Sequence, residues 1–153
     1  MPDYVISPIG VVRNAIKERG WQEWRDVVSE IHVDRRYVEG LVGLSGFSHI
    51  IVLSWMHELD EPRSTLQVHP QRRIDLPLTG VFATRAPVRP NPIGVTVVEL
   101  LGQTDNVLKV LGLDVIDGTP VIDIKPFIPE RFDTKKVRVP DWVNRLPHKP
   151  AGN

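Results

Sequence analysis

Short runs of apolar and alternating side chains along this chain predict β-strands separated by turns and loops. The strongest run covers residues 49–57 (His-Ile-Ile-Val-Leu-Ser-Trp-Met-His), where β-branched and apolar side chains dominate, as is typical of a strand. Residues 29–34 alternate polar and apolar side chains, which indicates a half-buried strand. The same criteria predict strands at residues 5–12, 81–83, 95–101, 107–111 and 121–125, with a hairpin turn at residues 103–106.

The segments between these strands predict a short helix and long loops. Residues 35–44 suit a short helix that Gly43 ends, whereas residues 14–27 show no clear period and predict a mobile loop. Residues 59–79 are polar and contain three prolines, and a long connection of this kind in a compact domain is usually functional or disordered. The sequence therefore predicts an all-β fold, a single closed or nearly closed β-barrel with long loops on one side.

Proline-rich sequence marks the end of the predicted barrel. Beyond residue 126 prolines recur without a sustained hydrophobic period, so we predict a barrel domain over residues 1–130 and an extended, basic, proline-rich C-terminal tail over residues 131–153. Trp142 is the tail residue that we expect to dock on the domain. A length of 153 residues is sufficient for one domain with a substantial core.

The composition excludes several kinds of site. The chain has no Cys, which excludes disulfides, thiolate metal ligands and a cysteine nucleophile. His49 and His57 share one strand face but lie roughly 26 Å apart at about 3.3 Å per residue, and no other His pair has the spacing of a ligand set, so we expect no metal. We also expect a cytoplasmic protein without membrane association, because the sequence shows neither a membrane-spanning run nor a signal-peptide pattern.

Residues 80–94, which we call the proline–arginine loop, are the most unusual stretch of the sequence. Three prolines within six residues fix backbone φ angles and stiffen this segment. Arg85, Arg89 and Asn91 project from the stiffened frame. Rigidly presented guanidinium groups suit the recognition of phosphate, carboxylate or purine, so we predict that this loop is functional.

A second candidate is the turn at residues 114–120, which carries two carboxylates. Asp117 precedes Gly118-Thr119-Pro120, a turn signal in its own right, so a structural Asx turn is the alternative to a binding role there. Asp114 follows a predicted strand, a position where loops commonly carry function. We expect Asp114 to meet a cationic or hydroxyl-bearing small molecule.

The charges are segregated, although the 19 basic and 19 acidic residues give a net charge of zero. Residues 62–90 hold five Arg and one Asp, a net charge of +4. Residues 99–125 hold five acidic and two basic residues, a net charge of −3, and residues 126–150 hold six basic and three acidic ones, a net charge of +3. This pattern suits a site that holds a cation while docking RNA, and solvated surface charge is the alternative.

Four sequence blocks resemble the TrmO (TsaA-like) family of tRNA methyltransferases, and they occur in the order found in that family. The blocks are Ile9-Gly-Val-Val-Arg13, Gly46-Phe-Ser-His49, Phe82-Ala-Thr-Arg85-Ala-Pro-Val-Arg89-Pro90-Asn91-Pro92-Ile93-Gly94 and Asp117-Gly-Thr-Pro120-Val-Ile-Asp123-Ile-Lys125-Pro126. The resemblance implies a β-barrel methyltransferase that uses S-adenosylmethionine and methylates N6 of N6-threonylcarbamoyladenosine at tRNA position 37. It also implies a homodimer with the cofactor site near the subunit interface.

The resemblance also assigns expected roles to residues of this chain. The implied cofactor contacts are Trp24, Arg25, His57, Glu58, Arg85, Val95, Leu111, Gly112, Leu113 and Asp114. The residues that we expect to contact the substrate are Arg89, Asn91, Asp117 and Thr119. The residues that we expect to be catalytic are Arg85, Asn91 and Asp114.

The chemistry of these side chains agrees with such a reaction. Asp114 can meet an ammonium group or ribose hydroxyls, and Arg85 and Arg89 can hold a carboxylate or phosphate through two parallel hydrogen bonds. Asn91 offers an amide donor and acceptor to an adenine edge. Asp114 and His57 are the candidate bases for the N6 proton. Two alternatives stay open: an S-adenosylmethionine-dependent methyltransferase acting on another RNA or a small molecule, and a barrel that binds a ligand or RNA without catalysis.

Overall fold

A closed barrel of six antiparallel strands is the central feature of the computed structural model, which describes residues 1–20, 22–59, 61–129 and 133–147. The strands are, in chain order, β1 (Gly10–Arg13), β2 (Val28–Val33), β3 (His49–Trp55), β4 (Gln67–Val68), β5 (Thr79–Gly80), β6 (Ile93–Thr104), β7 (Val107–Leu111) and β8 (Pro120–Pro126). The order around the barrel is β1–β2–β7–β6–β3–β8, and β8 pairs back with β1. β4 and β5 pair with each other as a separate ribbon. The predicted all-β barrel is confirmed.

Alternation of side chains along the strands forms the barrel core. In β3, Ile50 and Val52 are fully buried, whereas the intervening Ile51 and Leu53 remain partly exposed on the outer face. Branched aliphatic side chains dominate the inner face because they pack well on a pleated surface. Further fully buried members of this core are Val12, Ile31, Leu108, Val110 and Val121.

The directions of the strands place three connections at the same end of the barrel. Neighbouring strands are antiparallel throughout, so the chain leaves β1, β3 and β7 at one end and re-enters there through β2, β6 and β8. These connections are residues 14–27, 56–92 and 112–119, and we call this side of the molecule the loop end. Every site residue predicted from the sequence lies in one of these connections or in a strand that borders one.

One predicted strand, at residues 81–83, is wrong. Val81–Ala83 form a single turn of 3-10 helix, which the N–H of Thr84 closes on the carbonyl of Val81 at 3.1 Å. Val81 is 1% exposed but the adjacent Phe82 is 77% exposed. Three apolar residues are too few for periodicity to distinguish a strand from a turn.

The strand predicted at residues 5–12 is shorter than expected. β1 begins at Gly10, and Val5 is 95% exposed. Pro8 has no N–H to donate to a neighbouring strand, which explains why pairing stops beside it. The helix predicted at residues 35–44 is a 3-10 helix over Arg35–Leu41, followed by Gly43 with a φ of +87°.

The C-terminal segment, predicted to be an extended tail, contains a short helix, α1 (Asp141–Asn144). Trp142 is partly buried. The guanidinium of Arg73 donates to the backbone carbonyl of Arg145 at 2.7 Å, which connects this segment to the β3–β6 connection. Residues 131–132 and 148–153 of the predicted tail, and residue 130 before it, lie outside the described residues.

Asn14, the first residue after β1, ties two connections of the loop end together. Its side-chain Nδ2 donates to Oγ of Ser29 at 3.0 Å and to the carbonyl of Val115 at 2.9 Å. Its Oδ1 accepts from the N–H of Ile16, and its own backbone N–H donates to Asp117, both at 3.0 Å. Because Ser29 is only 1% exposed, loss of this amide leaves a buried polar group without its partner.

Asp117 completes this network from the opposite side. Nζ of Lys17 lies 2.8 Å from Oδ2 of Asp117, and Nη1 of Arg13 lies 3.9 Å from the same oxygen. The hydrogen bond from Lys17 lowers the pKa of the Asp117 carboxyl below its ordinary value, and the backbone N–H of Asn14 lowers it further. Asp117 and Gly118 form a turn, which the N–H of Thr119 closes on the carbonyl of Ile116 at 3.3 Å. It is not the expected Asx turn, because the carboxylate of Asp117 binds Asn14 and Lys17 and not the backbone of its own turn.

The lowered pKa of Asp117 predicts a pH-dependent contribution to stability. A carboxyl group with a folded pKa below its unfolded value of about 3.9 stabilises the folded state above that value, and the contribution is lost as pH falls through the folded pKa. We expect Asp117→Asn to lower the free energy of unfolding at pH 7. At pH 3 the free energies of unfolding of the variant and the unsubstituted protein should differ less. Urea unfolding at both pH values measures this difference.

Lys17→Met is the matched variant for this prediction, since it removes the partner and keeps the carboxylate. We expect the effect of Asp117→Asn at pH 7 to be smaller in the Lys17→Met background. An effect of Asp117→Asn that is the same at pH 7 and pH 3 would contradict the prediction.

Candidate functional site

Hydrogen bonds join the three connections of the loop end to one another. From the β1–β2 connection, the guanidinium of Arg19 donates to the backbone carbonyl of Glu58 in the β3–β6 connection. From the β7–β8 connection, the N–H of Gly112 donates to the carbonyl of Val27 at 3.0 Å. The loop end is therefore one connected structure, in which side chains from distant parts of the sequence come together.

The first half of β6 borders this structure because β7 does not reach it. Leu111, the last residue of β7, pairs with Glu99, so residues 93–98 of β6 pair with β3 alone. Beyond Leu111 the chain turns at Gly112, whose φ of +87° is in the left-handed region that favours glycine. The turn inserts Leu113 into the core, where it is fully buried.

Asp114 follows this turn and is held at the mouth of the barrel. Oγ1 of Thr96 lies 2.5 Å from Oδ1 of Asp114, a short distance that is typical of a hydroxyl donating to a carboxylate. Thr96 pairs with the buried Val52, so its side chain faces the barrel interior. The carboxylate of Asp114 is partly buried and has a fixed position beside β6.

The predicted cofactor residues include two on the barrel wall and two just beyond the end of β3. Val95 is 65% exposed on the outer face of β6, and Leu111 is partly exposed on the outer face of β7. His57 and Glu58 follow the end of β3, with Nε2 of His57 at 3.8 Å from Oε1 of Glu58. Leu113 is fully buried in the core, so neither its side chain nor its backbone is exposed for contact with a ligand.

Trp24 and Arg25 form a turn against the β7–β8 connection. The N–H of Val27 donates to the carbonyl of Trp24 at 3.1 Å. A side chain at Gly112 would meet the carbonyl oxygen of Arg25 at 3.7 Å. The structure therefore places this turn beside the Gly112 turn.

Within the proline–arginine loop, the two arginines have different surroundings. Nη1 of Arg89 donates to the carbonyls of Thr84 and Ala86, both at 3.2 Å, so Arg89 braces the backbone on either side of Arg85. Arg85 is exposed and makes no hydrogen bond or ion pair with the described residues. Its guanidinium is therefore the one that the loop presents for an anionic group.

Asn91 is exposed at the end of the same loop and contacts the β3–β6 connection. Nη2 of Arg63 donates to Oδ1 of Asn91 at 3.3 Å, and Nε of Arg63 donates to the carbonyl of Pro90 at 2.7 Å. The Arg63 guanidinium also lies over the ring of Trp55, 5.2 Å from its centroid. A single arginine thus joins the loop to the end of β3.

The remaining substrate candidates, Asp117 and Thr119, are engaged within the protein. The carboxylate of Asp117 accepts a hydrogen bond from the backbone N–H of Asn14 and forms an ion pair with Lys17. Thr119 is 2% exposed, and its hydroxyl donates to the carbonyl of Ile116 at 2.7 Å. The loop end brings the other candidates to one side of the barrel, whereas these two side chains shape the β7–β8 connection.

Three residues of the site were not predicted from the sequence: Asn14, Arg63 and Thr96. Asn14 directly follows a strand, a position where an amide often bonds to nearby backbone, and this is the one local signal among the three. Arg63 was counted only as part of a basic segment. Thr96 is an ordinary strand residue, and nothing local marks its contact with Asp114.

The loop end offers separate groups for positive and for negative charge. Asp114 offers a fixed acceptor for a cation or hydroxyl groups, and Arg85 offers donors for a carboxylate or phosphate. Among the described residues no group of three or more His, Asp or Glu side chains is placed to hold a metal ion. No helix in the described ranges has the length and apolar character needed to cross a membrane.

The chain is similar to proteins named for S-adenosylmethionine binding and for tRNA methylation. A probable S-adenosyl-L-methionine-binding protein of Methanothermobacter thermautotrophicus is 45% identical over 126 residues, covering 80% of this chain and 88% of the relative. The tRNA (adenine(37)-N6)-methyltransferase of Escherichia coli (strain K12) is 38% identical over 140 residues, covering 84% of this chain and 60% of that enzyme.

The fold is also found in a crystal structure of TrmO from Pseudomonas aeruginosa. The TM-score is 0.69 at 32% sequence identity, and the match covers 90% of this chain and 62% of that chain. The chain thus spans about 60% of the length of these two bacterial relatives. Residues 19–134 match the family described as the tRNA-methyltransferase O N-terminal domain, a range that includes all three connections of the loop end except residues 14–18. The chain therefore belongs to the tRNA-methyltransferase O (TrmO) family.

Proposed function

We propose that this protein transfers a methyl group from S-adenosylmethionine to N6 of adenosine 37 in tRNA, and that its substrate is the N6-threonylcarbamoyl form of that nucleoside. The observation that carries the proposal is that the loop end of a TrmO-family barrel holds both a carboxylate fixed by Thr96, that of Asp114, and an exposed guanidinium, that of Arg85. The ammonium group of the cofactor suits the carboxylate of Asp114, and the carboxylate of the threonylcarbamoyl group suits the guanidinium of Arg85.

The residues at the loop end fit S-adenosylmethionine. Asp114 provides acceptors for the ammonium group or the ribose hydroxyls of the cofactor. At the Gly112 turn, the absence of a side chain lets the cofactor approach the backbone closely. Val95 provides exposed apolar surface for the adenine. When bound, the cofactor supplies a methyl group on a cationic sulfur, and the carbon–sulfur electron pair returns to sulfur as N6 bonds to the methyl carbon.

The substrate proposal rests on the proline–arginine loop. The threonylcarbamoyl group carries a carboxylate, which suits the guanidinium of Arg85, and the amide of Asn91 suits the adenine. Methylation requires that N6 lose its proton, and Asp114 and His57 are our candidate bases for accepting it. Positioning the two reactants supplies much of the rate enhancement in a displacement of this kind.

We also propose that the protein is a homodimer that acts in the cytoplasm, where its tRNA substrate is found. The outer face of the barrel supports the dimer, because Val28, Val95, Val97 and Leu101 are each between 44% and 65% exposed. Val95 and Leu111 belong to this face and are also cofactor candidates. A second copy covering this face would enclose that part of the cofactor site.

The cofactor proposal predicts that Asp114 is needed for binding S-adenosylmethionine. We expect calorimetry to show binding to the unsubstituted protein, and we expect Asp114→Asn to weaken it by about tenfold or more, because hydrogen bonds to a charged group are worth about 1.5–3 kcal/mol. Asp105→Asn is the matched control, since Asp105 is exposed and pairs with Arg35 at the opposite end of the barrel. Equal affinity in the three proteins would contradict the assignment.

The substrate proposal is tested with a labelled methyl group on S-adenosylmethionine. We expect label transfer to tRNA that carries the threonylcarbamoyl group and not to the same tRNA without it. Arg85→Ala should lower kcat/KM by about a hundredfold, the scale of losing a charge-assisted contact to the substrate carboxylate, while Arg35→Ala should not change it. Equal methylation of the two tRNAs would refute the substrate and favour another RNA target.

The dimer proposal predicts that a charged substitution on the outer face of the barrel gives a monomer. Sedimentation equilibrium should give a dimer for the unsubstituted protein and a monomer for Val97→Glu, because the substitution places a charge in the apolar contact. Ile74→Glu, at another exposed apolar residue, should remain dimeric. A monomeric unsubstituted protein at micromolar concentration would exclude this proposal.

A further inference from the structure

Arg63 makes three different kinds of contact at the loop end, although it lies 27 residues before Pro90, which it touches in the proline–arginine loop. Nε and Nη2 both donate to the carbonyl oxygen of Pro90. Nη2 also donates to the side-chain oxygen of Asn91 at 3.3 Å. The face of the guanidinium covers the ring of Trp55, 5.2 Å from its centroid.

These contacts fix which atoms Asn91 presents. A guanidinium has donors only, so the side-chain atom of Asn91 that faces Arg63 is the acceptor Oδ1. The Nδ2 group is therefore on the other side of the amide, with two N–H donors available. Asn91 is exposed, so these donors can reach a ligand.

The backbone on both sides of Asn91 is restrained as well. Pro90 has a fixed φ angle, and its carbonyl is occupied by Arg63. On the other side, the N–H of Ile93 donates to the carbonyl of Asn91 at 2.7 Å, and Ile93 pairs with Trp55. Trp55, Arg63, Asn91 and Ile93 thus form a closed ring of contacts.

We propose that Arg63 is a positioning residue, which holds the amide of Asn91 so that it donates to an acceptor atom of the adenosine to be methylated. This inference rests on the proposed function and deepens it, because it assigns Asn91 a donor role in recognising the nucleoside. Arg63 touches neither reactant. Its effect passes through the orientation of Asn91 and the conformation of the proline–arginine loop.

The kinetic test uses Arg63→Met, Arg63→Lys, Asn91→Ala and the double variant Arg63→Met/Asn91→Ala. Arg63→Met should raise the KM for the modified tRNA by about tenfold, the scale of one charge-assisted hydrogen bond, with an unchanged Kd for S-adenosylmethionine. Arg63→Lys should recover part of the loss, because an ammonium can bond the Pro90 carbonyl but not both partners as a fork does. Arg35→Met, the same substitution at the opposite end of the barrel, should leave KM unchanged.

The double variant separates positioning from a general structural role. If Arg63 acts through Asn91, Arg63→Met should have little further effect on kcat/KM in the Asn91→Ala background. Fully additive losses would overturn the proposal, as would an Arg63→Met variant with the KM of the unsubstituted protein. A parallel loss of cofactor affinity would also overturn it.

A second measurement does not depend on catalytic activity, so it tests the positioning role separately from the proposed function. Hydrogen exchange of the ligand-free protein should be about tenfold faster over residues 84–93 in Arg63→Met than in the unsubstituted protein or Arg35→Met, since the loop loses the anchor that limits its opening. Unchanged exchange would overturn the positioning role. Faster exchange in a protein that methylates no tRNA would refute the proposed function and, with it, the assigned target of Asn91.

Discussion

The side-chain amide of Asn14 is the interaction on which the geometry of the loop end depends. It bonds simultaneously to β2 through Ser29 and to the β7–β8 connection through Val115, and its backbone bonds to Asp117. Asp114 directly precedes Val115, so the position of that carboxylate depends on an amide that lies 101 residues before Val115 in the sequence. Backbone hydrogen bonds from Gly112 to Val27 and from Gly118 to Val12 hold the two ends of this connection, and the Asn14 amide holds its middle.

In a closed barrel most backbone groups are hydrogen-bonded to a neighbouring strand. The candidate site forms at a place where this pairing is incomplete. β6 is twelve residues long, and only its second half has β7 as a partner. The chain that leaves β7 crosses beside the half of β6 that β7 does not reach, and this crossing brings Asp114 to Thr96. The length mismatch between two neighbouring strands thus creates the position of the carboxylate, while all six barrel strands contribute side chains to the core.

The sequence was informative where structure depends on neighbouring residues. The long apolar run at residues 49–57 and the hairpin at residues 103–106 were recognisable because strand and turn preferences are local. The prolines and arginines of residues 80–94 stood out for the same reason. Contacts across the molecule gave no such pattern: Arg63 meets Asn91 over 28 residues and Thr96 meets Asp114 over 18. Which of the two loop arginines is exposed also depends on folded geometry, since Arg89 turns inward to the carbonyls of Thr84 and Ala86.

The contact between Arg73 and Arg145 has a consequence for how the C-terminal segment can vary. The acceptor is the backbone carbonyl of Arg145, a group that every amino acid supplies at that position. The donor, by contrast, must be a long cationic side chain at residue 73, which Asp75 also holds in place. Substitutions at residue 145 therefore preserve the hydrogen bond as long as the backbone follows the same path, so drift in the tail sequence is compatible with a constant docking position.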